Sequence, residues 1–165
     1  MGFQTVSPGA SQDRPAVGIG SIKGADGQVD YRLARRALVS EFKRGRIARN
    51  DVCDAHPELI RAARNIGEPT SVNCPICEES KVVLVSFAFG PKLGPSGRCV
   101  TTKEELMRFV NAADEPVTTY VVEVCPKCSW NHLTRAFEVP NTRPSPRGDR
   151  STGTNSTRSQ PPQPV

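Results

Sequence analysis

Two short cysteine pairs carry the chemistry of this chain: Cys74-Pro-Ile-Cys77 and Cys125-Pro-Lys-Cys128. A Cys-x-x-Cys spacing sets two sulfurs on one tight turn. Two such turns brought together offer four soft donors at the corners of a tetrahedron, the geometry Zn²⁺ prefers, with Zn–S of about 2.3 Å. The expectation is one structural Zn²⁺ held by Cys74, Cys77, Cys125 and Cys128. Four protein sulfurs fill the shell, whereas a catalytic zinc keeps an open position for water. No Ser-His-Asp set, paired carboxylates or phosphate-cradling glycine loop stands out beside them. The chain therefore reads as a non-enzyme with no small-molecule substrate.

The sharpest rival is redox chemistry, because a Cys-Pro-x-Cys turn also serves dithiol oxidoreductases, where a helix N-terminus activates the first thiolate. Glu78 and Glu79 follow Cys77 and are expected to raise a neighbouring thiol pKa, and Cys128 leads into a strand rather than a helix. A redox-sensitive zinc release lies between these readings. Cys53 and His56 form a Cys-x-x-His spacing that supplies half of a second metal site, with Cys99 as a third ligand and no evident fourth. The plainer reading makes Cys53 a small buried hydrophobe and His56 a helix cap. His132, four residues after Cys128, is either an alternative ligand or sulfur hydrogen-bond partner, or a surface or capping histidine. Trp130, the single tryptophan, either stacks on a base or fills a partner's pocket, or packs over the metal turn.

These residues need elements to position them. The chain has 165 residues, 15 Pro and 13 Gly, with 24% charged and only 5% aromatic side chains, which suits one small domain with loose ends. No apolar run approaches the ~18 residues of a membrane span. The N-terminus shows no secretory signal, so a cytoplasmic location with reduced thiols is expected. Residues 1–28 read as a disordered tail, 29–67 as a basic helical segment, 68–139 as the cysteine-bearing domain, and 140–165 as a disordered Pro/Ser/Thr/Arg-rich tail. Charge divides accordingly: residues 30–66 carry +4, 67–139 carry −2 and 140–165 carry +3.

A first helix is expected from an Asp30 N-cap to Gly45, with Leu33, Ala34, Ala37, Leu38 and Phe42 on its apolar side. Arg32, Arg35, Arg36, Lys43 and Arg46 form an opposite basic band with no acid at i±4, a candidate partner-binding surface. A second helix should run from Pro57, capped by His56, to Gly67. Strands follow from Ser71, then over Lys81–Phe89, Val117–Val124 and residues 133–139. A glycine- and proline-rich loop occupies 90–97, and Thr101-Thr-Lys-Glu-Glu opens a helix carrying Leu106, Phe109, Val110 and Ala113. The body is α+β: a small antiparallel sheet with two knuckles and an inserted helix, preceded by a basic helical arm.

Residues 70–139, with CPIC and CPKC at their turns, resemble a zinc ribbon, the knuckle-built sheet common in transcription and translation proteins. Over about 29–139, the string of basic helix, DVCDAHPELIRAARNIG, CPIC, LVSFAFGPKLGP and VVEVCPKCSWNHL is similar to a family of uncharacterised actinobacterial zinc-ribbon proteins. That resemblance implies fold and lineage and brings no activity with it. Two functions compete. One is a module binding nucleic acid or a nucleic-acid machine, RNA polymerase or the ribosome, through the arginine band and basic tail. The other is a protein–protein adaptor with a purely structural zinc, using the apolar stretch 84–89 and the loop 90–97.

Overall fold

The computed structural model describes residues 26–141; the expectations of disorder for the outer parts of both tails lie outside them. Six strands form one antiparallel sheet: β1 (Asp26–Asp30), β2 (Glu68–Asn73), β3 (Lys81–Phe89), β4 (Arg98–Val100), β5 (Val117–Val124) and β6 (Asn131–Val139). Their order is β1-β6-β5-β3-β2, and β4 also pairs with β3. Four helices join them: α1 (Arg32–Lys43), α2 (Arg49–Val52), α3 (Pro57–Ile66) and α4 (Lys103–Ala112). Among the described residues no helix is long and apolar enough to cross a membrane.

The central pair β3–β5 is in register from Val83 opposite Val124 to Phe89 opposite Thr118, so alternate side chains face opposite sides. One face carries Ala88, Val117 and Val121, covered by Leu106 and Val110 of α4 and by Ala113 just past its end. The other carries Val85 and Val124, under Ile60 and Ala63 of α3. Each fully buried Val or Leu contributes on the order of 1.5–3 kcal/mol, so these two layers hold the sheet together. A third cluster gathers Val52, Val82 and Trp130 around Cys74 and Cys125, under Leu38, Val39 and Phe42 of α1.

Caps follow the local chemistry closely. His56 Nδ1 accepts from the Glu58 N–H at the start of α3. Thr102 Oγ1 accepts from the Glu105 N–H at the start of α4, and the Glu105 carboxylate returns to the Thr101 N–H. At the end of α3 the chain must pass close to β3: a Cβ on Gly67 would lie 2.4 Å from the Ala63 carbonyl and 2.7 Å from Val83 Cγ2.

Several expectations need correction. Residues 26–28, expected in the tail, belong to β1, which gains its strand character by pairing with β6. Asp30 is not the N-cap of α1; Tyr31 holds that position, and Asp30 instead accepts from the Arg32 N–H. The half-buried side of α1 is Arg35, Leu38, Val39 and Phe42, while Leu33 stands 77% exposed and Ala34 and Ala37 are exposed as well. Arg35 takes an inward position because it binds a buried acid, described below, while Leu38 and Phe42 of the expected side keep theirs. α1 packs on the domain through Leu38, Val39 and Phe42. The short α2 and β4 carry too few residues for a periodic signal.

Candidate metal centre

The two cysteine turns are built alike. Cys74 donates its N–H to the Ser80 carbonyl at 2.8 Å, and Glu78 donates to the Cys74 carbonyl at 3.0 Å. In the second turn Cys125 donates to the Trp130 carbonyl at 2.8 Å, and Ser129 to the Cys125 carbonyl at 3.0 Å. The residue after each second cysteine takes a left-handed conformation, φ 56° at Glu78 and 66° at Ser129. This twist folds each turn back so that both sulfurs point the same way. The first turn bridges β2 to β3 and the second bridges β5 to β6, so pairing of β3 with β5 brings them to one end of the sheet.

All four sulfurs lie within 4.8 Å of one another. Cys74 Sγ is 3.5 Å from Cys128 Sγ, and Cys77 Sγ is 3.8 Å from Cys125 Sγ, both pairs running between turns. Cys74 and Cys125 are buried and Cys77 and Cys128 half-buried. Burial pushes the Cys74 thiol up to about 11 and the Cys128 thiol upward too. Burial acts the same way on Cys77, but the Glu79 backbone N–H and the neighbouring thiols outweigh it and bring that group down to about 7. The Cys77 thiol is thus lowered where the two glutamates were expected to raise it. Glu79's carboxylate is engaged by Lys127 of the opposite turn, and its amide, not its charge, faces the sulfur. Arg49 lies against Cys53 and Cys128, and the hydrogen bond to the Cys53 side chain is the largest cause of its raised pKa. A cation among these sulfurs would favour their ionised forms. The four cysteines can hold one metal ion.

The other candidate ligands do not assemble a second site. Among the described residues, no other set of three or more histidines, cysteines or carboxylates converges as a metal site. Cys53 reaches the edge of the cluster, His56 spends Nδ1 on its cap, and Cys99 packs beneath α3, where burial raises its thiol pKa. His132 is outside the cluster as well. It stacks on Trp130 with ring centroids 5.9 Å apart, its Nδ1 is buried without a hydrogen-bond partner, and burial lowers its pKa.

Trp130 is fully buried, which overturns its reading as an exposed stacking or pocket-filling side chain. Its ring seals the inner side of the cysteine cluster, and its Nε1 donates to Glu123 Oε1 at 2.8 Å. Glu123, itself 6% exposed, is the residue the sequence reading passed over. Arg35 clasps it from α1 with Nε and Nη2 at 2.8–3.1 Å. The signal available was one acid in the run Val121-Val122-Glu123-Val124, a charge that a buried strand tolerates only with a partner.

The basic band is largely paired within the chain. Arg32 joins Asp30, Lys43 joins Glu78 at 3.5 Å and Arg46 joins Glu41 at 3.0 Å, while Arg35 is committed to Glu123. Arg36 makes no ion pair among the described residues.

No solved structure matches this chain. Two uncharacterised mycobacterial proteins, Mb0050 of Mycobacterium bovis and Rv0049 of Mycobacterium tuberculosis, are each 43% identical to it over 128 residues, covering 76% of this chain and 93% of theirs. A family of unknown function, DUF5318, matches residues 22–153. With four-fifths of its length matched in this way, the chain belongs to the DUF5318 family.

Proposed function

We propose that this protein is a non-catalytic zinc-ribbon module in which Cys74, Cys77, Cys125 and Cys128 hold one structural Zn²⁺. The carrying observation is the sulfur geometry. A tetrahedron with bonds of about 2.3 Å has edges of about 3.8 Å, and the two inter-turn sulfur pairs stand at 3.5 and 3.8 Å. Four sulfurs satisfy zinc without a vacancy, so the ion staples the sheet end and does no chemistry on a substrate. Two cysteine pairs meeting at one point also suit a shared ion better than a single dithiol active site.

The module's partner, on this reading, is nucleic acid or a nucleic-acid machine. Support comes from the outer side of α1, where Arg32, Lys43 and Arg46 have side chains 80%, 58% and 63% exposed. Exposed ion pairs are worth only about 0–1 kcal/mol, so phosphates compete for these cations at little cost. Trp130 and Arg35 are withdrawn from that surface, since both are committed to Glu123. The protein-adaptor alternative is favoured by a different observation: an apolar groove of about 360 Å³ beside α3, lined by Leu59, Phe87, Phe89, Tyr120, Val122 and Leu133.

A gel-shift titration at low and moderate salt separates the two. Binding that weakens steeply with salt and disappears in Arg32→Glu/Arg36→Glu supports the nucleic-acid reading. Absence of any shift at low salt with folded, zinc-loaded protein overturns it in favour of the adaptor.

A further inference from the structure

A cavity of about 550 Å³ opens at the end of the sheet away from the cysteine turns, between the loop 90–97 and α4. Its floor is apolar: Leu93 from the loop, Phe109 and Ala112 from α4, and Val117 from β5. The loop forms a firm wall. Leu93 donates its N–H to the Gly90 carbonyl at 3.0 Å, and Gly97, at φ 65°, passes so close to β3 that a Cβ there would lie 2.7 Å from the Ala88 carbonyl. Lys92 ties this loop to the end of α4, donating to the Ala112 carbonyl and pairing with Asp114, each at 2.9 Å. Two charged groups of opposite sign remain on the wall, Arg98 and Glu105. Arg98 stands opposite Ala88 in the β3–β4 register and so faces the α4 side of the sheet. Its guanidinium makes no hydrogen bond or ion pair among the described residues. Glu105 caps α4 through Oε2, which accepts from the Thr101 N–H and hydroxyl, and its Oε1 has no partner among the described residues.

We infer that this cavity binds a free apolar α-amino acid, its carboxylate at Arg98, its ammonium at Glu105 Oε1 and its side chain over Leu93, Phe109 and Val117. A guanidinium fork takes a carboxylate bidentately, and a carboxylate oxygen takes an ammonium in a charge-assisted hydrogen bond. The charges of the wall balance, Lys92 against Asp114 and Arg98 against Glu105, so a zwitterion leaves neither free group uncompensated, whereas a simple anion or cation does. The apolar floor favours a hydrocarbon side chain over a polar one. The volume lies in the ~300–1,000 Å³ range of small-ligand sites. The site shares no residue with the cysteine centre or with the cations of α1, so it stands or falls separately from both readings above.

The test titrates zinc-loaded, reduced protein with L-leucine and L-phenylalanine by calorimetry. Three controls each lack one feature: N-acetyl-L-leucine the ammonium, L-leucinamide the carboxylate, and glycine the side chain. Binding of leucine or phenylalanine that weakens about tenfold or more with every control, and likewise in Arg98→Gln and in Glu105→Gln, while Arg46→Ala leaves it unchanged, supports the proposal. Arg98→Gln breaks no ion pair, and Glu105→Gln keeps an acceptor for the Thr101 cap, so both variants should match the wild type in circular dichroism and zinc content. N-acetyl-L-leucine binding as tightly as leucine makes the site one for a simple carboxylate and overturns the proposal. So does leucine binding indifferent to Arg98→Gln, and so does the failure of both amino acids to bind at millimolar concentration by calorimetry and by equilibrium dialysis.

Discussion

Arg35→Ala removes the guanidinium from a carboxylate that stays in place, 6% exposed, with only the Trp130 N–H for company. Breaking a buried pair by deleting one partner costs about 3–5 kcal/mol, because the remaining charge has lost both its counterion and its water. Arg35's own side chain is 22% exposed, and the Trp130 bond survives, so the lower end applies: about 3 kcal/mol, roughly a hundredfold in the folding equilibrium. Glu123→Gln keeps an acceptor for Trp130 and leaves a cation with access to solvent, so it should cost less, about 1–2 kcal/mol. The double variant Arg35→Met/Glu123→Gln should recover part of the Arg35→Ala loss, since neither charge remains to be buried alone. Urea unfolding of zinc-loaded protein under reducing conditions, followed by Trp130 fluorescence and by circular dichroism, reads all three. A loss below 1 kcal/mol for Arg35→Ala would refute the reasoning and return Arg35 to the solvent-facing band.

Trp130→Phe keeps the ring but strips the donor from Glu123 and should cost about 1–2 kcal/mol, whereas Trp130→Ala opens a cavity beside the cysteines and should cost about 3–5 kcal/mol, both measured by the same urea titration. Iodide should quench native Trp130 poorly and quench it well after the protein unfolds, since the ring is fully buried. Gly67→Ala forces its methyl against the Ala63 carbonyl and Val83 and should lose about 1–3 kcal/mol while leaving zinc content at the wild-type value. His132 has its folded pKa depressed by burial, so the unfolded chain takes up that proton first. Its contribution is whole above about pH 6.5 and is lost as pH falls below that, until the folded value is reached. The urea midpoint of the wild type should therefore drop more between pH 7.5 and 5.5 than that of His132→Phe; equal drops would count against it.

What the sequence makes legible is chemistry with an obligatory spacing. The two Cys-x-x-Cys spacings mark tight turns, which β3–β5 pairing brings together, and the long apolar runs of β3 and β5 are strands whatever surrounds them. Helices α3 and α4 announce themselves by Pro57 after His56 and by Thr102 before Glu105, which act within one turn. What escapes notice is set by contacts between distant segments. The Arg35–Glu123 pair spans 88 positions, and no local rule links its members. With Arg35 turned inward to that acid beside Leu38, Val39 and Phe42, Leu33 and Ala37 are left exposed despite the apolar count that favoured them. β1 and β4 are strands only because β6 and β3 offer an edge to pair with. Trp130 admitted two readings from its position alone, and the acid that accepts its N–H settles which applies.

The most direct measurement is zinc per chain by elemental analysis, on wild type and Cys125→Ser purified under reducing conditions without added metal. One zinc per wild-type chain is expected, lost in the variant together with the cooperative urea transition. A folded wild type that carries no zinc and keeps its transition after exhaustive chelation would contradict that expectation.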